Sequence, residues 1–218
     1  MKRFIFLVVA VVAIAMSFVI DRPENWVLDP KTLQTVAKRG IAVAHAKHGV
    51  NATAEQVVES VIQEVTKTYP LHTSYSGRWL WNNAGGAMGS MTVLHSSFSE
   101  YLIIFGTSLG TEGHTGRYHW AEDFFTILYG EQWASLPRVA EAEVYKPGDQ
   151  HYLPRHTAKQ YRMPNACWAL EYARGNIPSM LFFGLADGFT STLDVVTLFQ
   201  TVRESAWNML HSAILGKI

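Results

Sequence analysis

The sequence predicts a mainly β domain with flanking helices: one N-terminal helix that spans a membrane, a helical pair, a run of antiparallel strands, and two apolar helices that cover the strands. Three observations carry this. Residues Phe4 to Ile20, "FIFLVVAVVAIAMSFVI", hold no charge and lie between Lys2-Arg3 and "DRPEN". From Trp79 to Gly175 short apolar runs alternate with Gly, Pro, Asn or charged residues, which is how hairpins are punctuated. After Pro178 polar residues become sparse over spans of helical length.

A chain of 218 residues suits one domain with a sizeable core and is cramped for two. Eighteen Lys+Arg balance eighteen Asp+Glu and no long basic run occurs, so nucleic acid is excluded as a partner. A chain that is 48% hydrophobic and only 17% charged is apolar for a soluble domain, and part of its surface is expected to meet lipid. The single Cys167 permits no intrachain disulfide and has no second Cys for a zinc ribbon or redox pair. "NACWALEY" reads instead as a buried strand.

Residues 1–24 form the expected anchor: the seventeen residues from Phe4 to Ile20 span ~26 Å as a helix, close to the ~27 Å core of an endoplasmic reticulum bilayer. The competing reading is a cleaved signal peptide, with Ala13 and Ala15 as its A-x-A, although the apolar run continues past them. Lys2 and Arg3 ahead of the span favour a cytosolic N-terminus and a lumenal body. The sequon "NAT" at Asn51 suits that placement.

Residues 25–78 carry two helices. Asp29-Pro30 caps and starts the first, whose Leu33, Val36, Ala37, Ile41 and Ala44 share a face up to His48-Gly49. "TAEQ" from Thr53 is a capping box for the second, with Val57, Val61, Ile62 and Val65 on one face and Pro70 as its stop. Residues 79–175 form an antiparallel barrel or sandwich, within which "MGSMTVLHSS" could contain a helical turn. Residues 176–218 hold the two apolar helices, the second started by Ser191 or Thr192 with Asp194, which lie on the membrane or close over a pocket, or else are ordinary packing helices.

Three blocks in order are distinctive: "NNAGGAMG" at Asn82 to Gly89, "LHSSFSEYLIIFGTSLGTEGHTGRY" at Leu94 to Tyr118, and "LEYARGNIPS" at Leu170 to Ser179. Together with "STLDVVTLF" they resemble the fungal C-8 sterol isomerases, a family that includes the animal sigma-1 receptor. "GTEGHTG", "LDPKTLQTVAKR" and "EAEVYKPG" lie nearer the isomerase branch. The resemblance implies a membrane-anchored, cupin-like β-barrel roofed by C-terminal helices, resident in the endoplasmic reticulum and assembling as a homotrimer. It also implies an activity, the shift of a sterol double bond from C8 to C7 on the way to ergosterol, with cationic amines as inhibitors. The other class it leaves open is a non-enzymatic ligand-binding chaperone or regulator of the receptor type.

Shifting an isolated alkene needs a proton delivered to C9, a tertiary cation at C8 and loss of a proton from C7. No cofactor and no metal are called for. The acid must be a neutral carboxyl group in a dry cavity, where burial raises its pKa. A second carboxylate raises it further and can stabilise the cation or take the outgoing proton.

Glu171, alone in the apolar strand "CWALEYARG", is the first candidate; in the receptor the matching glutamate holds the amine of cationic ligands. The alternative for it is a structural pair with Arg174. The receptor's partner aspartate matches Phe125 here, and Asp123, two residues earlier, shares a strand face with it. Asp123 is therefore the expected second acid. Glu122 is retained as its rival in case the extra His119 introduces a bulge. The resemblance also makes Tyr101 the hydrogen-bonding partner of Glu171, makes Glu100 a structural tie between loops, and places Trp79, Met91, Ile103, Phe105, Tyr118, Phe125, Leu181 and Thr201 around the substrate. Gly85 and Gly89 form a GxxxG that reads equally as a turn or as part of an oligomer interface.

His114, His119, His151 and His156 raise a metal site as a separate possibility. No HxH occurs, and His114 and His119 fall on opposite faces of a regular strand, so a turn residue is the better reading of His114.

Overall fold

A computed structural model of the chain describes residues 18–218. The expected anchor lies almost wholly outside those residues; Phe18 to Ile20 are helical, and among the described residues no helix is long and apolar enough to cross a membrane.

Helix α1 runs Pro30–His48 and α2 Ala54–Thr68. Both begin where the local chemistry dictates. The Asp29 carboxylate accepts from Thr32 N at 2.8 Å ahead of Pro30, and Thr53 and Gln56 form a reciprocal capping box. Gly40 lets the two helices meet closely, since a Cβ there would stand 2.7 Å from Val61.

Ten strands follow: β1 Leu80–Ala84, β2 Ala87–Ser96, β3 Glu100–Thr107, β4 Thr111–His114, β5 Ala121–Tyr129, β6 Gln132–Ser135, β7 Glu143–Tyr145, β8 Gln150–Leu153, β9 Gln160–Met163 and β10 Cys167–Gly175. They form two antiparallel sheets, ordered β1-β2-β3-β10-β5-β8 and β4-β9-β6-β7. "MGSMTVLHSS" contains no helical turn; its alternate residues pack on both faces of β2. Gly85 and Gly86 both take positive φ and make the tight β1–β2 turn, where the His114 N–H closes the second sheet against the Gly85 carbonyl at 2.9 Å.

The large sheet is buried on both faces, which is why β3 reads as an unbroken apolar run. Leu102, Ile104, Leu170 and Tyr172 point outward into the α1–α2 layer. Ile103, Phe105, Ala169 and Ala173 point inward toward the second sheet. Period-two alternation thus builds two cores from the same strands.

Helix α3 (Ile177–Asp187), capped by Asn176, and helix α4 (Val195–Ile214), capped by Asp194, close over the inner core. A wide turn over Gly188–Thr192 and left-handed Leu193 join them. Their outer faces leave Phe182, Val195, Val196, Phe199, Trp207, Leu210 and Ile214 exposed, and the turn between them leaves Phe189 exposed.

One carboxylate fastens the ends of the described chain together. Glu100, fully buried at the start of β3, accepts from Val27 N, Leu28 N, the Tyr172 hydroxyl and Lys217 Nζ at 2.5–2.9 Å. It is the structural tie that the sequence suggested.

Candidate active site

Strands β5 and β10 run side by side in the middle of the large sheet. Glu171 pairs with Phe125 and Ala173 pairs with Asp123, so Asp123 and Glu171 are diagonal neighbours on the inward face. The register is unbroken from Ala121 to Ile127, and the irregularity in this pairing falls at Trp168/Ala169. The extra His119 therefore puts no bulge near the acids. It lies in the preceding loop, with its Nδ1 2.9 Å from that of His156.

The two carboxyl groups lie close enough to act on each other directly, so a proton held by one of them can bridge the pair. Asp123 is almost fully buried; its Oδ1 accepts from Phe124 N at 2.9 Å and its Oδ2 has no donor apart from that shared proton. Burial is the main cause that raises the pKa of both groups, and for Asp123 the Glu171 charge raises it further. For Glu171 the Asp123 hydrogen bond offsets part of the rise.

Glu122, one residue away, faces the opposite side. It takes Arg174 Nε at 2.6 Å and the Tyr152 hydroxyl at 2.6 Å, and so belongs to the outer surface of the sheet. Arg174 spends its charge there and offers none to Glu171.

Glu171 opens onto a narrow cavity between the sheets and the lid helices. Of the residues expected around a substrate, Met91, Ile103, Phe105, Tyr118, Phe125, Leu181 and Thr201 line it, as does Tyr101. Trp79 does not. It sits on the outer side, edge-on to Trp168 with centroids 5.3 Å apart, because Trp168 alternates with Ala169 and points away from the cavity.

The expected Tyr101–Glu171 hydrogen bond is also absent: the Tyr101 hydroxyl meets Ser205 Oγ of α4 at 3.3 Å. Its pKa is raised to about 12, chiefly by burial. Asn82, Tyr161, Met180 and Phe183 complete the wall and were not anticipated. The alternation in "KQYRM" was the available signal for Tyr161: Gln160 and Arg162 are exposed, Tyr161 and Met163 buried.

His114 stands on the cavity wall with Nδ1 accepting from Gly116 N at 2.9 Å, which leaves the proton of its neutral ring on Nε2. Among the described residues no three His, Cys, Asp or Glu side chains gather in a metal-holding group.

This arrangement, an acid pair in an apolar chamber under a helical lid, can be set beside known proteins. The chain matches the family model "ERG2 and Sigma1 receptor like protein" over residues 4–217. It is 49% identical to the C-8 sterol isomerase of Pyricularia oryzae over 99% of this chain and 96% of that one. With the C-8 sterol isomerase ERG2 of Gibberella zeae it shares 47% identity, covering 97% and 88%. The sigma non-opioid intracellular receptor 1 of Gallus gallus is 39% identical over 77% of this chain and 76% of that one. Among solved structures, an RmlC-like cupin from Shewanella frigidimarina matches with a TM-score of 0.40 and 16% identity, covering 48% of this chain and 90% of that one. A family model spanning nearly the whole sequence, together with relatives near half-identical across it, establishes that the chain belongs to the ERG2 and Sigma1 receptor like protein family.

Proposed function

We propose that this chain is a C-8 sterol isomerase, shifting the Δ8 double bond of a sterol to Δ7 on the way to ergosterol. The observation that carries the reading is the buried pair of Asp123 and Glu171, diagonal neighbours on adjacent strands, with Glu171 on the wall of an apolar cavity. The isomerase names of relatives that match nearly end to end support it.

The neutral member of the pair delivers its proton to C9, and the electron pair of the alkene forms the new C–H bond, leaving a cation at C8. A carboxylate then removes the C7 proton, and the C7–H electrons close the Δ7 bond. One proton enters and one leaves, so the balance needs no oxidant and no cofactor. Burial keeps the acid protonated near neutral pH, as an alkene, a very weak base, requires. Phe105, Phe125 and Tyr118 offer π faces to the cation, a contribution of ~0.5–2 kcal/mol.

Because both carboxyl groups project from adjacent strands of one sheet, addition at C9 and removal at C7 take place on the same face of the ring. Glu171 is the member that borders the cavity and Asp123 lies behind it. The hydrogen bond between them then returns the pair to its starting state.

Incubation of the purified protein with a Δ8 sterol in deuterated water tests this. Deuterium at C9 of a Δ7 product is expected; unchanged sterol, with amine binding intact, would favour the receptor-like reading.

The same reading places the protein in the endoplasmic reticulum membrane, anchored through Phe4 to Ile20 with its body in the lumen, in a cupin-like barrel that assembles as a homotrimer. The exposed apolar faces of α3 and α4 support contact with lipid. Asn51 is exposed in the α1–α2 turn, so a glycosidase-sensitive mass shift on expression in a eukaryotic cell tests the lumenal placement. Cross-linking of the detergent-extracted protein tests the trimer.

A further inference from the structure

Tyr161 projects inward from β9, the strand opposite β10. Its neighbours across the second sheet are Gly113 and Ala134, whose small side chains leave its ring room to lean into the barrel. The residue is 8% exposed and borders the same cavity as Glu171. Among the described residues its hydroxyl has no hydrogen-bond partner, and it is not one of the fully enclosed polar atoms, so it is open to a partner on the cavity side.

The acid pair has a matching deficiency. When it gives up the shared proton, two carboxylates face an apolar chamber, and the protein hydrogen bond already in place is the one from Phe124 N to Asp123 Oδ1. Tyr101 is committed to Ser205, and Arg174 to Glu122 on the other face of the sheet.

We propose that Tyr161 is a positioning residue for the proton transfer, its phenol O–H turning to hydrogen-bond the carboxylate that forms when the pair protonates the alkene. This rests on the isomerase reading. A donor already in the chamber costs little reorganisation at the moment charge develops, which is where such donors contribute most. Burial, then the charges of Glu171 and Asp123, push the phenol's pKa up, so it stays a donor throughout the working range. Tyr118 is a second phenol beside the pair, but it stands on the loop before β5, edge-on to Phe183. Tyr161 is held by strands on both sides.

The test is kcat and KM across pH for wild type, Tyr161→Phe and Glu171→Gln with a Δ8 sterol. Tyr161→Phe keeps the ring and loses only the hydroxyl. Its kcat should fall about 100- to 1,000-fold, the scale of losing a donor to a developing charge, with KM within about threefold of wild type. The titratable groups facing position 161 are Asp123, Glu171, Tyr118 and Cys167. The active form holds one proton on the acid pair, and the alkaline limb marks its loss. Removing a donor to the ionised form raises that pKa, so the limb should move to higher pH. A kcat within twofold of wild type, or a loss of kcat with the limb unmoved, overturns the role of Tyr161 while leaving the isomerase reading standing. A wild type with no turnover overturns both. An active wild type beside an inactive Glu171→Gln upholds the acid pair, so that any failure of the Tyr161→Phe profile then counts against Tyr161 alone.

Discussion

Arg174 gives its guanidinium to Glu122 at 2.6 Å on the outer face of the sheet and thereby leaves Glu171, three residues earlier on the same strand, with no salt-bridge partner among the described residues. The same guanidinium stacks over Trp26 at 4.4 Å. Retention of a proton by the inner pair depends on this separation of faces.

The two neighbouring acids of β5 should therefore respond oppositely to substitution. Asp123→Asn is expected to lower kcat by more than 100-fold with the fold retained. Glu122→Gln should leave kcat within threefold and instead weaken the Arg174 tie, costing about 1–2 kcal/mol in denaturant unfolding. Equal losses of activity in both variants would contradict the register of β5.

Stability should carry the signature of the buried acids. Burial raises the Glu171 pKa from 4.5 to about 7, so the folded state holds a proton that the unfolded chain releases. A group raised in this way favours folding most below pH 4.5, and the advantage is lost as pH rises through about 7. Glu171→Gln removes the burden. Its unfolding free energy should exceed that of wild type by about 3 kcal/mol at most near pH 8, with the gap closing toward pH 4.5. A gap independent of pH would mean that Glu171 is ionised in the fold.

Tyr101→Phe separates the expected role of this residue from the one it has. Its hydroxyl reaches Ser205 on the lid, so the loss should leave kcat within about threefold and speed hydrogen exchange of the α4 amides around Ser205. A collapse of kcat with unchanged exchange would restore the direct bond to Glu171.

Glu100→Ala should be the most destabilising of these changes. It strands two backbone N–H groups and leaves the Lys217 ammonium without its counter-charge, while the Tyr172 hydroxyl keeps the Leu28 carbonyl; loss of a buried partner of this kind costs about 3–5 kcal/mol. Lys217→Met removes a single donor and should cost less, by the same denaturant titration.

Much of this was legible because it was local. Caps at Asp29, Thr53 and Asp194 mark helix starts from a few consecutive residues. Alternation along β5 and β10 separates Asp123 from Glu122, and Glu171 from Arg174, without knowledge of any partner strand. What was not legible depended on residues remote in sequence. The partner of Tyr101 lies 104 positions away on a helix, and Trp79 precedes β1, where no pleat yet fixes its direction. Tyr161 belongs to a four-residue strand whose neighbours, β4 and β6, are short and distant, so its pairing could not be read ahead of the fold.

The Glu100 junction has a mechanical consequence. The stem that leads to residue 18, the central wall that carries Glu171, and the far end of α4 are all tied to one carboxylate. The neighbouring Ser99 hydroxyl reinforces the joint, meeting Asn25 O, Ile218 O and Lys217 Nζ, so tension on the stem reaches the Lys217 end of the roof through adjacent residues of one strand start. The Gly188–Thr192 elbow stands at the opposite end of α4, so the roof is a helix fastened by its tail and joined to its partner by a turn.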